Sequence, residues 1–243
     1  MEAKYSSLLP TILLLLSLRS LAAGVGDTLG KGGNIIGDAT LVSASVTFTM
    51  GFFSLGASTK QRYYYLGIWF SMSTDAICWV ANSERPLSDK AGGALMISDT
   101  GSLVLVDSFR QVAWSSNSSI TSSSTMVAQL LDTGNLVLRD DDQAGTGVLW
   151  WQSFDHPSNT LLSGMKVGED SWNGAEWHLT SWSSADDPSP GPYRRVLDSS
   201  GGLPDFVLRQ GNATIYRTGP WNGRSFSGAT EVLGYESLVT DAE

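Results

Sequence analysis

Apolar residues in this chain come in short runs, and no stretch beyond residue 23 repeats them at a helical period. The runs are rich in Val, Leu, Trp and Phe, and Gly, Ser, Asn and Asp separate them. That spacing predicts many short strands joined by turns. The 26 glycines fit the frequent tight turns this requires. The runs also repeat. Gly101-Ser102-Leu103-Val104-Leu105 returns as Gly134-Asn135-Leu136-Val137-Leu138 at an offset of 33, with a weaker third copy at Tyr65-Leu66-Gly67-Ile68-Trp69. A Trp opening a small polar motif follows each copy: Trp79-Val80-Ala81-Asn82, Trp114-Ser115-Ser116-Asn117 and Trp151-Gln152-Ser153-Phe154, spaced by 35 and 37 residues. One such unit cannot bury its own apolar face, whereas three packed about a pseudo-threefold axis can. The three tryptophans are then expected to meet near that axis, each burying on the order of 200 Å².

The opening residues read differently. A polar start with Lys4 precedes an apolar run over 8–16 and 18–23, interrupted by Pro10 and Arg19 and ending in Ala22-Ala23. This is the pattern of a secretory signal over residues 1–23, and it is short for a membrane-spanning helix of about 20 apolar residues. The expected location is secreted or extracellular, with no membrane span further along the chain. In that compartment Asn117-Ser118-Ser119 and Asn212-Ala213-Thr214 make Asn117 and Asn212 candidate N-glycosylation sites.

Charge and composition narrow the function. Of 243 residues, 24 are acidic and 15 basic, a net charge of −9 that disfavours nucleic acid and anionic membranes as partners. The single cysteine, Cys78, excludes an internal disulfide and sits in the apolar run Ile77-Cys78-Trp79-Val80, where it reads as a buried free thiol. His156 and His178 are the only histidines. His156 lies in Phe154-Asp155-His156-Pro157 with no nucleophile at a recognisable spacing, so it reads as part of a polar turn. The Asp140-Asp141-Asp142 run lacks the spacing of a calcium loop and reads as a hairpin tip. Gly24–Lys31 fails as a phosphate loop because Val25 stands at the first glycine position and Gly32 follows Lys31. No catalytic residue, metal site or cofactor is expected.

Longer stretches carry a family resemblance. Phe48-Thr49-Met50-Gly51-Phe52-Phe53-Ser54, Tyr65-Leu66-Gly67-Ile68-Trp69-Phe70, Trp79-Val80-Ala81-Asn82, residues 130–140 and Trp151-Gln152-Ser153-Phe154-Asp155-His156-Pro157 occur in order. Thr180-Ser181-Trp182, Asp186-Asp187-Pro188-Ser189-Pro190-Gly191 and Gly219-Pro220-Trp221-Asn222-Gly223 follow. Over roughly 24–235 the chain resembles the plant bulb-type, or monocot mannose-binding, lectin domain of S-locus glycoproteins and S-domain receptor-like kinases. The resemblance implies an all-β fold: a β-prism of three four-stranded sheets over 24–154, then an incomplete second lectin-like unit over 155–243, the start of the S-locus glycoprotein region.

Active bulb lectins carry Gln-x-Asp-x-Asn-x-Val-x-Tyr on one strand of each lobe, and period two turns all five side chains to one face. In this register the lobe ending at Arg139 gives Leu131, Thr133, Asn135, Val137 and Arg139, and the lobe ending at Val106 gives Ser98, Thr100, Ser102, Val104 and Val106. The lobe ending at Trp69 keeps no Asp or Asn of the pattern. Asn135, Val137 and Arg139 are therefore the candidate residues of a degenerate carbohydrate site. The resemblance implies a non-enzymatic recognition protein, in pollen recognition or defence-type signalling, whose partner is another S-domain protein, a peptide ligand or a weakly held mannose-type glycan. A working mannose lectin and a truncated S-domain receptor-like kinase are the alternatives.

Overall fold

The short apolar runs between residues 24 and 152 form strands, and several of them are buried on both faces. The computed structural model describes residues 24–55, 62–118, 126–141, 147–170 and 172–228. The expected leader over 1–23 lies outside the described residues. The strands are β1 (Gly24–Val25), β2 (Thr28–Gly30), β3 (Asn34–Ile36), β4 (Thr40–Val42), β5 (Phe48–Leu55), β6 (Tyr63–Phe70) and β7 (Ile77–Val80). There follow β8 (Ala94–Ile97), β9 (Leu103–Val106), β10 (Val112–Ser115), β11 (Met126–Leu130), β12 (Leu136–Asp140) and β13 (Leu149–Gln152).

These strands make three sheets, ordered β1-β4-β5-β6-β7, β10-β9-β8-β3 and β13-β12-β11-β2. Two of the three are four-stranded, as expected. The first has four antiparallel strands and a fifth, β1, which adds to β4 in parallel over two residues. The amino-terminal strands cross to their neighbours: Leu29 of β2 pairs with Ala128 and Ile35 of β3 with Leu95. Residues 28–36 thus complete two lobes whose other strands come much later in the chain. The repeat detected in sequence places its copies in β6, β9 and β12, the strand before the Trp-bearing strand of each sheet. Gly101 and Gly134 open two of the copies with φ of 80° and 84°. At Gly134 a side chain would also collide, since a Cβ there would lie 2.8 Å from the Phe48 ring and 2.9 Å from Leu162.

Inward residues of all three sheets share one core. Leu66, Ile68, Leu95, Leu103, Leu105, Leu130, Leu136 and Leu138 are all fully enclosed. The three tryptophans meet as expected: Trp79, Trp114 and Trp151 form a triangle with ring centroids 5.8, 6.1 and 5.6 Å apart, each pair edge-on, the arrangement aromatic quadrupoles favour. The polar motif after each Trp has a structural task. Asn82 Oδ1 accepts from the Leu66 amide at 2.8 Å, Ser116 Oγ from Leu103 at 3.0 Å and Ser153 Oγ from Leu136 at 2.9 Å. Each bond satisfies a buried backbone N–H at the equivalent place in its lobe.

A single 3₁₀ turn, Ser153–Asp155, ends the third lobe. The packing runs on beyond it, because Leu162 and Met165 belong to the same buried cluster as the prism interior. Next comes a small hairpin of β14 (Gly168–Glu169) and β15 (Glu176–Trp177), then a meander of β16 (Leu179–Ser184), β17 (Asp187–Asp198), β18 (Asp205–Gln210) and β19 (Ala213–Arg217). The Pro/Asp/Ser-rich stretch breaks the sequence pattern, yet Pro188, Pro190 and Pro192 fall inside the twelve-residue β17. Register shifts between β16 and β17 at Thr180/Trp182 and Trp182/Ser184 interrupt the ladder there, which lets a strand without proline N–H donors persist. Among the described residues no helix is long and apolar enough to cross a membrane.

Candidate functional site

The three outward sheet faces, where the lectin pattern would lie, differ in what covers them. On the face of β13-β12-β11-β2, register brings Thr28, Gln129, Val137 and Gln152 into one row and sets Arg139 opposite Val127 in the next. Asn135 lies at the start of this face, 7% exposed, and both ends of its amide are engaged. Its Nδ2 donates to Gln152 Oε1 at 2.8 Å, while its Oδ1 accepts from Ser153 Oγ and from the Phe154 amide, both at 3.2 Å. Val137 is also buried, at 4%. Arg139 is half-buried; its Nε and Nη2 donate to Gln129 Oε1 at 3.2 and 3.0 Å, and Gln129 Nε2 donates to Asp27 Oδ2 at 2.7 Å. The structure thus gathers Asn135, Val137 and Arg139 on one face, as the register predicts. It adds Asp27, Gln129 and Gln152, which the reading of one strand missed because they come from neighbouring strands and segments. The polar groups of this face are bonded largely to each other.

On the first sheet the outward face is apolar and covered. Tyr65, Trp69, Ile77 and Val80 form a second buried cluster, with Phe53, Leu55 and, from β16, Trp182 packed against it. β16 thus rests, through Trp182, on the face of the lobe ending at Trp69. The chain between 156 and 158 helps hold that contact. Trp79 Nε1 donates to the His156 carbonyl at 2.9 Å, Ser158 Oγ accepts from the Val80 amide at 3.3 Å, and the Ser158 carbonyl accepts from the Thr180 amide at 3.0 Å. On the remaining sheet, Ile36, Ala94, Val106 and Val112 share one row and Asn34, Met96, Val104 and Ser115 the next. Val104 is the one match to the pattern there; Ser102, at the asparagine position, is 8% exposed and donates its hydroxyl to the Ser118 carbonyl.

The residues set aside as non-catalytic have defined places. Cys78 is buried, its Sγ donates to the Ile68 carbonyl at 3.2 Å, and burial pushes the thiol up to about 12, far from the thiolate needed for reactivity. The His156 ring stacks on Trp151 at 5.5 Å and 14°, and burial lowers its pKa against a weaker opposing pull from Asp155. Asp140 accepts from Trp150 Nε1 at 3.1 Å at the base of the predicted hairpin tip, whose further residues, 142–146, lie outside the described ones. Among the described residues, no group of three or more His, Cys, Asp or Glu is placed to hold a metal ion. Asn117 and Asn212 are both exposed.

Residues 76–183 match a family described as D-mannose binding lectin. A G-type lectin S-receptor-like serine/threonine-protein kinase of Arabidopsis thaliana is 43% identical over 220 residues, covering 89% of this chain and 24% of the kinase. An S-locus-specific glycoprotein of Brassica oleracea is 42% identical over 194 residues, covering 79% of this chain and 43% of the glycoprotein. The chain therefore spans about a quarter of such kinases and less than half of such glycoproteins. Among solved structures, the mannose-specific agglutinin from snowdrop bulbs, complexed with methyl-α-D-mannoside, has a TM-score of 0.34 at 18% identity, covering 50% of this chain and 98% of the agglutinin.

Proposed function

The chain belongs to the bulb-type lectin proteins of the S-locus glycoprotein and S-domain receptor-like kinase family, and from that premise we propose that it is a secreted or cell-surface recognition protein, non-enzymatic in itself, whose mannose faces have degenerated. Its setting is pollen recognition or defence-type signalling, and its partner is another S-domain protein or a peptide ligand. In this reading residues 24–154 supply the lectin domain and residues from 155 onward the start of the S-locus glycoprotein region.

The observation that carries the reading is the state of Asn135. A sugar site needs polar groups that are free to replace the water each hydroxyl loses. Asn135 instead satisfies Gln152, Ser153 and Phe154, and Arg139 is tied to Gln129. Each sugar hydroxyl desolvated without a partner weakens binding by about 1–3 kcal/mol, so three such losses remove several orders of magnitude in affinity. Titration calorimetry with methyl α-D-mannopyranoside is expected to give no saturable heat in the millimolar range. Millimolar or tighter binding that Arg139→Ala abolishes would restore the working-lectin alternative. The names of the kinase relatives favour a second reading, in which these residues are the ectodomain of a receptor-like kinase. An open frame beyond codon 243 that runs into a kinase sequence would establish it.

A further inference from the structure

A cleft of about 370 Å³ opens where the tryptophan end of the prism meets β16 and β17, apart from the face that carries Asn135, Val137 and Arg139. Trp79, Trp114, Trp151 and Trp182 line it, with His156, Pro188 and Pro190 on its walls and Asn117 at its edge. No Asp, Glu, Lys or Arg contributes to the lining, and burial favours the neutral form of His156, so the cleft suits an uncharged ligand. It is rich in hydrogen-bond donors. Ser115, Ser158 and Ser181 each use the hydroxyl oxygen to accept a backbone amide, from Asn117, Val80 and Tyr193 respectively, which leaves each O–H to donate. Among the described residues the indole N–H groups of Trp114 and Trp151 find no acceptor, and Trp151 is only 8% exposed. A buried donor of this kind is unfavourable until something supplies an acceptor.

Asn117 supplies the link to an occupant. It is the acceptor asparagine of the Asn117-Ser118-Ser119 sequon, it is exposed, and its φ of 52° puts it in the left-handed region, held by the bond from its amide to Ser115 Oγ. A sugar joined to its Nδ2 starts at the mouth of the cleft. We propose that Asn117 is glycosylated and that the first N-acetylglucosamine of its glycan folds back into this cleft. There its apolar ring face rests on indole, and its acetamide and hydroxyl oxygens accept from the unused donors. The glycan then acts as an internal wedge between the prism and β16–β17. This rests on the extracellular reading above, because glycan addition requires the secretory route, but it is independent of whether the Arg139 face binds mannose.

The second sequon provides the control. Asn212 lies in the β18–β19 turn with all five residues of β19 exposed, and it is not among the residues lining the cleft. The test is to produce the full chain in a secreting plant or insect host, map both sites by peptide mass spectrometry, and compare wild type with Asn117→Gln, Ser119→Ala and Asn212→Gln. Ser119→Ala removes the glycan while leaving Asn117 in place. Both variants that lose the Asn117 glycan should lower Tm by about 2–4 °C, the shift expected of one ordinary contact in a chain of this length. Both should also raise the quenching of tryptophan fluorescence by acrylamide, whereas Asn212→Gln should change neither. Trimming the wild-type glycan to its first N-acetylglucosamine should preserve both properties. An unmodified Asn117 beside a glycosylated Asn212 would overturn the proposal, as would a glycan at Asn117 whose removal leaves Tm and quenching unchanged. Absence of glycan from both sites would overturn the extracellular reading with it.

Discussion

The prism and the β16–β19 sheet use similar residues but close themselves differently. In the prism every sheet has two others to face, and leucines from all three lobes are fully enclosed. Among the described residues the later sheet has no such enclosure. Val196, Phe206 and Val207 are buried on it, while Ile215 and Tyr216 stand 49% and 54% exposed. Part of its cohesion is ionic: Arg217 donates to Asp198 at 3.2 Å and to Asp205 at 3.3 Å, and Thr218 Oγ1 donates to Asp205 at 2.9 Å. Phe226 packs on Phe206, and Trp182 ties the sheet to the prism by resting on the apolar face of the first lobe. Threefold closure makes a region self-sufficient; a single sheet depends on what it leans against.

The largest expected effects should fall on the prism. Trp151→Ala removes one corner of the tryptophan triangle, and with it two of the three ring contacts and the platform under His156, and is expected to destabilise by about 3–5 kcal/mol. Tyr216→Ala on β19 should stay within about 0.5 kcal/mol. Equal losses of denaturation midpoint for the two would break the contrast. Next in size is Asn135→Ala, which strands the buried Phe154 amide and is expected to cost about 1–3 kcal/mol. An unchanged midpoint would mean that the amide is not structural and would return it to the sugar site.

The smallest effect is one of pH and belongs to His156. Burial sets its folded-state pKa below the ordinary 6.5, so the unfolded chain binds a proton that the prism resists. Stability from this group is therefore complete above about pH 6.5 and declines as pH falls through that value toward the lowered pKa. His156→Gln should flatten this part of the profile of thermal midpoint against pH. An unaltered slope would locate the titration elsewhere.

Much of the prism is legible in the sequence because its repeats are local. The spacing of Trp79, Trp114 and Trp151 implies a common meeting point, and the glycines of the two strong copies imply equivalent turns. What sequence does not show is pairing at long range. Asp27 and Gln129 are a hundred positions apart, and no pattern within either neighbourhood joins them. Trp182 reads as one residue of a short motif until β16 lies on the first lobe. Asn135 is harder still, because an asparagine aimed at a sugar and one bonded to Gln152 and Ser153 give the same alternation. The proline-rich β17 is hidden for a different reason: its register shifts, which make room for the prolines, depend on β16.

Hydrogen exchange read by mass spectrometry tests most directly whether the prism is the self-sufficient region. Amides of β6, β9 and β12 should exchange only through global unfolding and share one protection level, while those of β19 exchange at least about tenfold faster through local opening. Equal protection across the prism strands and β19 in the monomeric protein would contradict the account.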